Sequence, residues 1–146
     1  MQFLAILSRL AIALWVGGAS LFTFILTPII FKKFPRDQAG VIVGHLFPAY
    51  FRWGLVCGLL ALITRVILKG KDGSAATIIL VIMLCLTSFQ AFYIEPRAVE
   101  LKKEIASFET TAKDHPARKA FGKLHGISAV CNLTIIAGGI ALIVLP

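Results

Sequence analysis

The sequence predicts an all-α integral membrane protein, a bundle of four transmembrane helices. The 146 residues are 58% hydrophobic and only 15% charged, whereas soluble domains average about 25% charged residues. Four long apolar runs, each with the roughly 20 residues that a helix needs to cross a bilayer, take up nearly all of the chain. We therefore expect a single transmembrane domain in a lipid bilayer, with spans at about 3–31, 41–68, 75–95 and 121–145.

The first run extends from Phe3 to Phe31 and is broken only by Ser8 and Arg9. It has no basic start and is longer than the apolar core of a cleaved signal peptide, so we expect a retained first helix. Pro28 lies near the far end of this helix, where a kink or a helix stop is tolerated.

The second run, 41–68, is most apolar from Tyr50 onward. The ten residues before Tyr50 are expected to form a helical lead-in at the membrane interface. Tyr50 itself is expected to join Arg52 and Trp53 in an aromatic and basic belt at that interface. A polar turn at 69–73 then leads into the third run.

The third run ends at Glu95, and a charged stretch, 96–120, separates it from the fourth. Within this stretch apolar residues fall three or four positions apart, which is the spacing of one helical stripe. We expect an amphipathic helix there, which either extends the third span or lies along the membrane surface. The residues of the stripe are Ala98, Leu101, Ile105, Phe108 and Ala112.

The distribution of positive charge predicts the orientation of the chain. Four spans put both termini on one side of the membrane. Ten of the fifteen Lys and Arg residues lie in the connections 32–40 and 96–120 or at Lys123, on the other side. By the positive-inside rule these connections face the cytoplasm and both termini face outward, in a bacterial inner membrane. The net charge of +8 is then a signal of orientation, and nucleic acid is not expected as a partner.

Small residues four positions apart allow helices to approach closely in lipid. Three such glycine pairs occur, at 40/44, 54/58 and 122/126. They are compatible with a tight intramolecular bundle and with a homo-oligomer, and the sequence does not assign each pair to one or the other. The charged stretch 96–120 is a further candidate surface for anionic lipid or for another protein.

Polar residues at membrane depth are candidates for function because they are costly to bury in lipid. His45, Glu95 and His125 are expected at one level near the cytoplasmic face, where they could bind a transition metal or relay protons. Cys85 and Cys131 each lie ten residues, or about 15 Å, from the cytoplasmic ends of their spans and suit a soft metal ion. The alternative is structural: Glu95 pairs with an arginine, the histidines donate to backbone carbonyls, and the cysteines fill space. The polar residues inside the apolar runs are Arg9, His45, Arg52, Gln90, Glu95, His125 and Asn132.

No residue pattern indicates an enzyme. The sequence has no Ser/His/Asp arrangement, no phosphate-binding loop and no pair of catalytic carboxylates. Its three cysteines do not form a disulfide framework or a zinc-site spacing. An enzyme built from these residues would need a bound cofactor, so a non-enzymatic protein is the expectation.

Several motifs carry a resemblance to a known family. A Trp-Val-Gly-Gly segment in the first run, a Leu-Phe-Pro-Ala-Tyr-Phe segment in the second, Glu-Pro-Arg after the third and His-Gly-Ile-Ser in the fourth occur in order along nearly the whole chain. This set resembles the transmembrane protein 205-like family, which consists of four-span proteins and is a domain of unknown function. The resemblance implies a structural or pocket motif of Trp15, Gly17, Gly18, Pro28, Pro48, Arg52, Pro96, Arg97 and Asn132.

That family is distantly similar to the CopD copper-resistance proteins and to HemJ-type protoporphyrinogen oxidases. The second similarity implies haem, but HemJ-type proteins place a histidine in the first helix, before the tryptophan. Here residues 7–10 read Leu-Ser-Arg-Leu, so haem is less expected than a transition metal. Three functions follow: handling of a small solute or metal ion, a haem-linked oxidoreductase, or a structural protein that binds a partner.

Overall fold

The computed structural model of the chain describes residues 1–68 and 73–144. Four long helices make up most of this part: α1, Gln2–Lys33; α2, Arg36–Leu68; α3, which begins at Gly73 and ends at Lys103; and α4, Pro116–Val144. The described residues contain no strand. The polar turn predicted at 69–73 falls almost entirely outside the described residues.

The four helices form an up-and-down bundle. Each helix packs against its neighbours in sequence, and α1 packs against α4 to close the ring. All four are long and apolar enough to cross a membrane, which confirms the predicted all-α, four-helix membrane bundle. With 29 to 33 residues and 1.5 Å per residue they are about 44–50 Å long, so they extend beyond a hydrocarbon core of about 30 Å.

Glycines allow the closest helix contacts in the core. A Cβ atom built on Gly58 would lie 2.7 Å from the ring of the buried Trp15, and one built on Gly139 would lie 2.0 Å from Val16 Cγ2. The predicted 54/58 pair therefore packs within the bundle, against α1 and α3. In contrast, a Cβ on Gly122 or Gly126 meets no described atom within 4 Å, so this pair lies on an open face.

Two of the long helices, α1 and α3, each contain one π-helical turn. One occupies Phe22–Leu26 in α1 and the other Gln90–Ile94 in α3, and each comes just before a proline, Pro28 or Pro96. Proline has no N–H, and its ring clashes with the carbonyl four residues earlier, so a wider turn just before it relieves the clash. Each π turn also contains one residue more than a turn of α-helix. The side chains that follow it are therefore rotated about the helix axis relative to those that precede it.

The helices extend further into the charged connections than the predicted spans do. Between α1 and α2 only residues 34–35 are non-helical. Phe34 is extended there, as expected for a residue that precedes a proline. The helix α2 begins with Asp37 in its first turn, where a carboxylate is favourable.

The expected amphipathic helix is correct up to Lys103 and wrong beyond it, because residues 104–115 form turns. Asp37 explains part of the difference: its carboxylate accepts hydrogen bonds from Ser107 Oγ at 2.5 Å and from the Phe108 backbone N–H at 2.6 Å. This side chain competes with a helix for the backbone donors of the loop. Part of the apolar stripe is nevertheless used, since Leu101, Ile105 and Phe108 pack with the first turns of α4. The resulting apolar cluster, which is separate from the core of the bundle, contains Leu101, Ile105, Phe108, Ala117, Phe121 and Leu124.

Candidate functional site

A cavity of about 50 Å³ lies between α2, α3 and α4 at the end of the bundle that carries the charged connections. Each of the three helices presents side chains three, four or seven positions apart, which is one helical face. Most of the wall is apolar or aromatic. The lining residues include Gly44, Phe47 and Phe51 from α2, Glu95, Ala98 and Lys102 from α3, and Phe121, His125 and Ser128 from α4.

Three ionisable side chains meet in this cavity: Glu95, Lys102 and His125. Lys102 Nζ donates a hydrogen bond to the Gly40 carbonyl at 2.9 Å and lies 5.7 Å from the centroid of the Phe121 ring. The predicted 40/44 glycine pair allows this approach, because a Cβ on residue 44 would be only 3.4 Å from Nζ. Within the described residues the Glu95 carboxylate has no hydrogen bond or ion pair, since the neighbouring Arg97 pairs with Glu100, so this carboxylate is available to a ligand.

The cavity has a mouth and an inner end. His125 is exposed and lies at the mouth, whereas Ser128, one turn further along α4, is buried at the inner end. Ser128 Oγ donates a hydrogen bond to Gln90 Oε1 at 2.7 Å. Gln90 is 0% exposed, and its Nε2 atom has no hydrogen-bond partner among the described residues.

A second polar cluster, of three residues around the buried Asn132, lies one turn further along α4. The Tyr50 hydroxyl donates to Asn132 Oδ1 at 3.0 Å, and Asn132 Nδ2 donates to Thr23 Oγ1 at 3.4 Å. Thr23 lies in the first π turn and Gln90 in the second. Both π turns therefore place polar side chains in the bundle interior. Every helix contributes to this polar layer, which consists of Thr23, Tyr50, Gln90, Ser128 and Asn132.

The predicted metal ligands are only partly brought together. Glu95 and His125 share the cavity, but His45 is exposed and does not line it. His45 follows Gly44, which does line the cavity, and adjacent residues on a helix face about 100° apart. Cys85 is exposed, while Cys131 is buried. Among the described residues no group of three His, Cys, Asp or Glu side chains could hold a metal ion.

The motif residues are divided between the interior of the bundle and its surface. Trp15 is buried in the core, Gly18 contacts Trp53, and the Asn132 amide belongs to the polar layer. Arg97 forms an exposed ion pair with Glu100 at 2.7 Å, so it does not pair with Glu95, which was one structural alternative. The remaining motif positions Gly17, Pro28, Arg52 and Pro96 are exposed, and Pro48 is half-buried inside α2.

Sequence reasoning missed several residues of the site. Lys102 was counted only as part of the charged stretch, although it lies seven positions after Glu95 and so on the same helical face. Ser128 was read only as part of a motif. Tyr50 was expected in an interfacial belt, and this expectation is wrong because its hydroxyl bonds to a buried amide. Arg52 and Trp53 are exposed, as a belt requires.

Comparison with known proteins identifies the family. A family model described as "Domain of unknown function (DUF4149)" matches residues 10–107. The chain belongs to the DUF4149 family. The matched residues of this DUF4149 protein include Gln90, Glu95 and Lys102, while α4 lies outside them. An uncharacterized protein of Aquifex aeolicus (strain VF5) is 32% identical over 132 residues, which is 88% of this chain and 87% of the relative. No solved structure matches the chain.

Proposed function

We propose that this DUF4149 protein binds a small, mostly apolar solute with one polar group, in the cavity between α2, α3 and α4. The observation that carries the proposal is the convergence of Glu95, Lys102, His125 and Ser128 on one otherwise apolar and aromatic cavity. Ligand sites typically combine an apolar wall with a few polar groups that fix orientation. The protein would hold the solute at the charged end of the bundle.

The size of the cavity limits the solute. Sites for drug-sized ligands have volumes of roughly 300–1,000 Å³, so a cavity of about 50 Å³ suits a molecule of only a few heavy atoms. A haem group does not fit this cavity. The donor set also favours a solute over a metal ion, since Glu95 and His125 supply two ligands and no third candidate ligand joins them within the described residues.

The three histidines of the chain make this proposal testable with one isotope label. His125 is at the mouth of the cavity, whereas His45 and His115 are exposed elsewhere. Protein with ¹³C,¹⁵N-labelled histidine would be titrated in lipid nanodiscs with acetone, acetate or isopropylamine. With a ceiling of about 1.5 kcal/mol per heavy atom, the Kd of these four-atom probes is no lower than about 40 μM. We expect most probes to bind well above this limit, so the titration extends to tens of millimolar.

We expect at least one probe to move the His125 resonances in a saturable way and to leave the other two histidines unchanged. Filling the cavity with Ala98→Leu should abolish this response, because Ala98 lines the wall. The matched control is Ala106→Leu, on the exposed surface of the loop. Equal shifts at all three histidines, or a response that survives Ala98→Leu, would contradict the proposal.

The orientation of the protein is part of the same proposal: the cavity would open toward the cytoplasm of a bacterium. What supports this is the excess of Lys and Arg in the connections beside the cavity. Labelling of intact cells with a membrane-impermeant maleimide tests it, using single cysteines in a background with the native three replaced. Gln2→Cys should react, and Lys113→Cys should react only after the cells are opened. The reverse pattern would invert the orientation.

The likeness to transmembrane protein 205, CopD and HemJ-type proteins stays a prediction, since it rests on motifs alone. The same holds for a homo-oligomer and for contacts of 96–120 with anionic lipid or protein. The solute proposal depends on none of these.

A further inference from the structure

We propose that Gln90 recognises a carbonyl-type oxygen of the bound solute, at the inner end of the cavity. The inference deepens the proposed function and rests on it. It starts from the Nε2 atom of Gln90, which has no hydrogen-bond partner in the part of the chain that the structure describes, although Gln90 is 0% exposed. A buried amide donor without a partner is destabilising, and such groups are uncommon in folded proteins.

The π turn brings Gln90 and Glu95 onto the same face of α3. In a regular α-helix, residues five apart point about 140° away from each other. Here the Glu95 N–H bonds to the Gln90 carbonyl, five residues back, so one extra residue is taken up within the turn. The two side chains are then related nearly as residues four apart in an α-helix. The π turn therefore extends the polar face of the cavity wall inward by one turn.

The unpartnered donor lies close to the cavity. Ser128 Oγ lines the inner end and is 2.7 Å from Gln90 Oε1. Within an amide the oxygen and nitrogen atoms are about 2.3 Å apart, so Nε2 lies within about 5 Å of Ser128 Oγ. Gln90 itself does not line the cavity and its Nε2 atom has no accessible surface, so contact with a solute requires the Ser128 or Gln90 side chain to rotate. The Ser128 proton is already donated to Gln90, so the N–H groups of the amide are the free donors at this end, beside the remaining lone pairs of the two oxygen atoms.

The free donors select the chemistry of the solute. An N–H donor requires an acceptor, and carbonyl oxygens of ketones, amides and carboxylates all supply one. An amine cation has only donors and leaves Nε2 unpaired. Buried unpaired groups are the main source of discrimination between polar analogues, so the Gln90 contact should favour acetone over isopropylamine. The Glu95 carboxylate attracts the amine cation through a separate contact in which Gln90 has no part.

The three glutamines of the chain provide a direct readout. Gln90 is buried, whereas Gln2 and Gln38 are exposed, and a label on the side-chain ¹⁵N gives one resonance pair for each. In nanodiscs, acetone should shift the Gln90 pair along the same saturation curve as His125 and leave the other two pairs in place. Comparison with acetate shows whether a charged oxygen binds differently from a neutral one, because Lys102 can also attract the acetate anion. Acetone cannot gain from that charge.

Substitution separates a ligand contact from a merely structural role. Gln90→Met keeps the length of the side chain and removes the amide. Because it also frees the Ser128 hydroxyl, it is made in Ser128→Ala protein. There it should weaken acetone binding, measured at the His125 resonances, about two- to tenfold and leave isopropylamine binding unchanged. Thr87→Val is the matched control, since Thr87 is equally buried on α3 but bonds only to the Met83 carbonyl of its own helix. It should change neither probe.

Two outcomes overturn the inference in different ways. If acetone moves His125 but leaves Gln90 in place, the cavity binds solutes and Gln90 is not the contact; water alone then satisfies the amide. If no probe moves His125, the proposed function fails and this inference fails with it. Should Gln90→Met not fold, the Gln90 resonance of the wild-type protein still decides between these outcomes.

Discussion

Replacement of Gly139 by alanine tests how the bundle achieves its closest helix contact. The new Cβ would lie 2.0 Å from Val16 Cγ2 and 3.3 Å from Met83 Cε, so Val16 must retreat by more than an ångström to reach ordinary contact. A β-branched side chain in a helix has essentially one favoured rotamer and cannot rotate away. We expect a steric cost of about 1–3 kcal/mol, offset by up to about 1 kcal/mol of helix propensity.

Gly126 supplies the matched control in the same helix, because its Cβ would meet nothing within 4 Å among the described residues. Gly126→Ala should be neutral or slightly stabilising. Reversible unfolding in mixed micelles, followed by tryptophan fluorescence in a Trp53→Phe background so that only the buried Trp15 reports, gives the free energy of unfolding for each variant. In a double-mutant cycle, Val16→Ala should recover part of the loss in Gly139→Ala. Equal stability of the two glycine variants would refute the close α1–α4 contact.

Two further predictions concern the polar layer and the charged end. Tyr50→Phe removes the donor to a buried carboxamide and should lower the free energy of unfolding by about 1–2 kcal/mol; Thr134→Val, on the exposed face, should change it by less than about 0.5 kcal/mol. Asp37→Ala removes the acceptor of the Phe108 amide and should speed hydrogen exchange at that amide, whereas Asp114→Ala should not. Unchanged exchange would mean that the carboxylate does not hold the loop.

The fold was predictable because lipid imposes simple rules. A chain that crosses a bilayer must satisfy its backbone hydrogen bonds within each span, so the four apolar runs already require four helices. The helix ends were less predictable. The amphipathic stripe of 96–120 has helical spacing, yet a single distant carboxylate, Asp37, holds residues 107 and 108 in a turn. Local periodicity contains no information about such a partner, which lies about 70 positions earlier in the chain.

The candidate site shows the same division. Depth along the chain correctly brought Glu95 and His125 together, because residues at equal distances from the membrane surface lie at one level. It could not tell which way a helix faces, so His45 was grouped with them although it is exposed. Which side of a helix points into the bundle depends on the rotation of that helix about its axis. Close contacts such as those at Gly54 and Gly58 determine this rotation.

By itself, the sequence determined that this protein has four apolar helices, that its positive charge is concentrated in two connections, and that few polar residues lie at membrane depth. Composition and run length suffice for these features because each depends on transfer of side chains between water and lipid. Only the tertiary structure decided that two π turns align polar residues along the interior, that Lys102 reaches α2 across a pair of glycines, and that Gln90 is left with unpartnered donors. These features depend on packing between helices, where a shift of one residue changes the face that a side chain occupies.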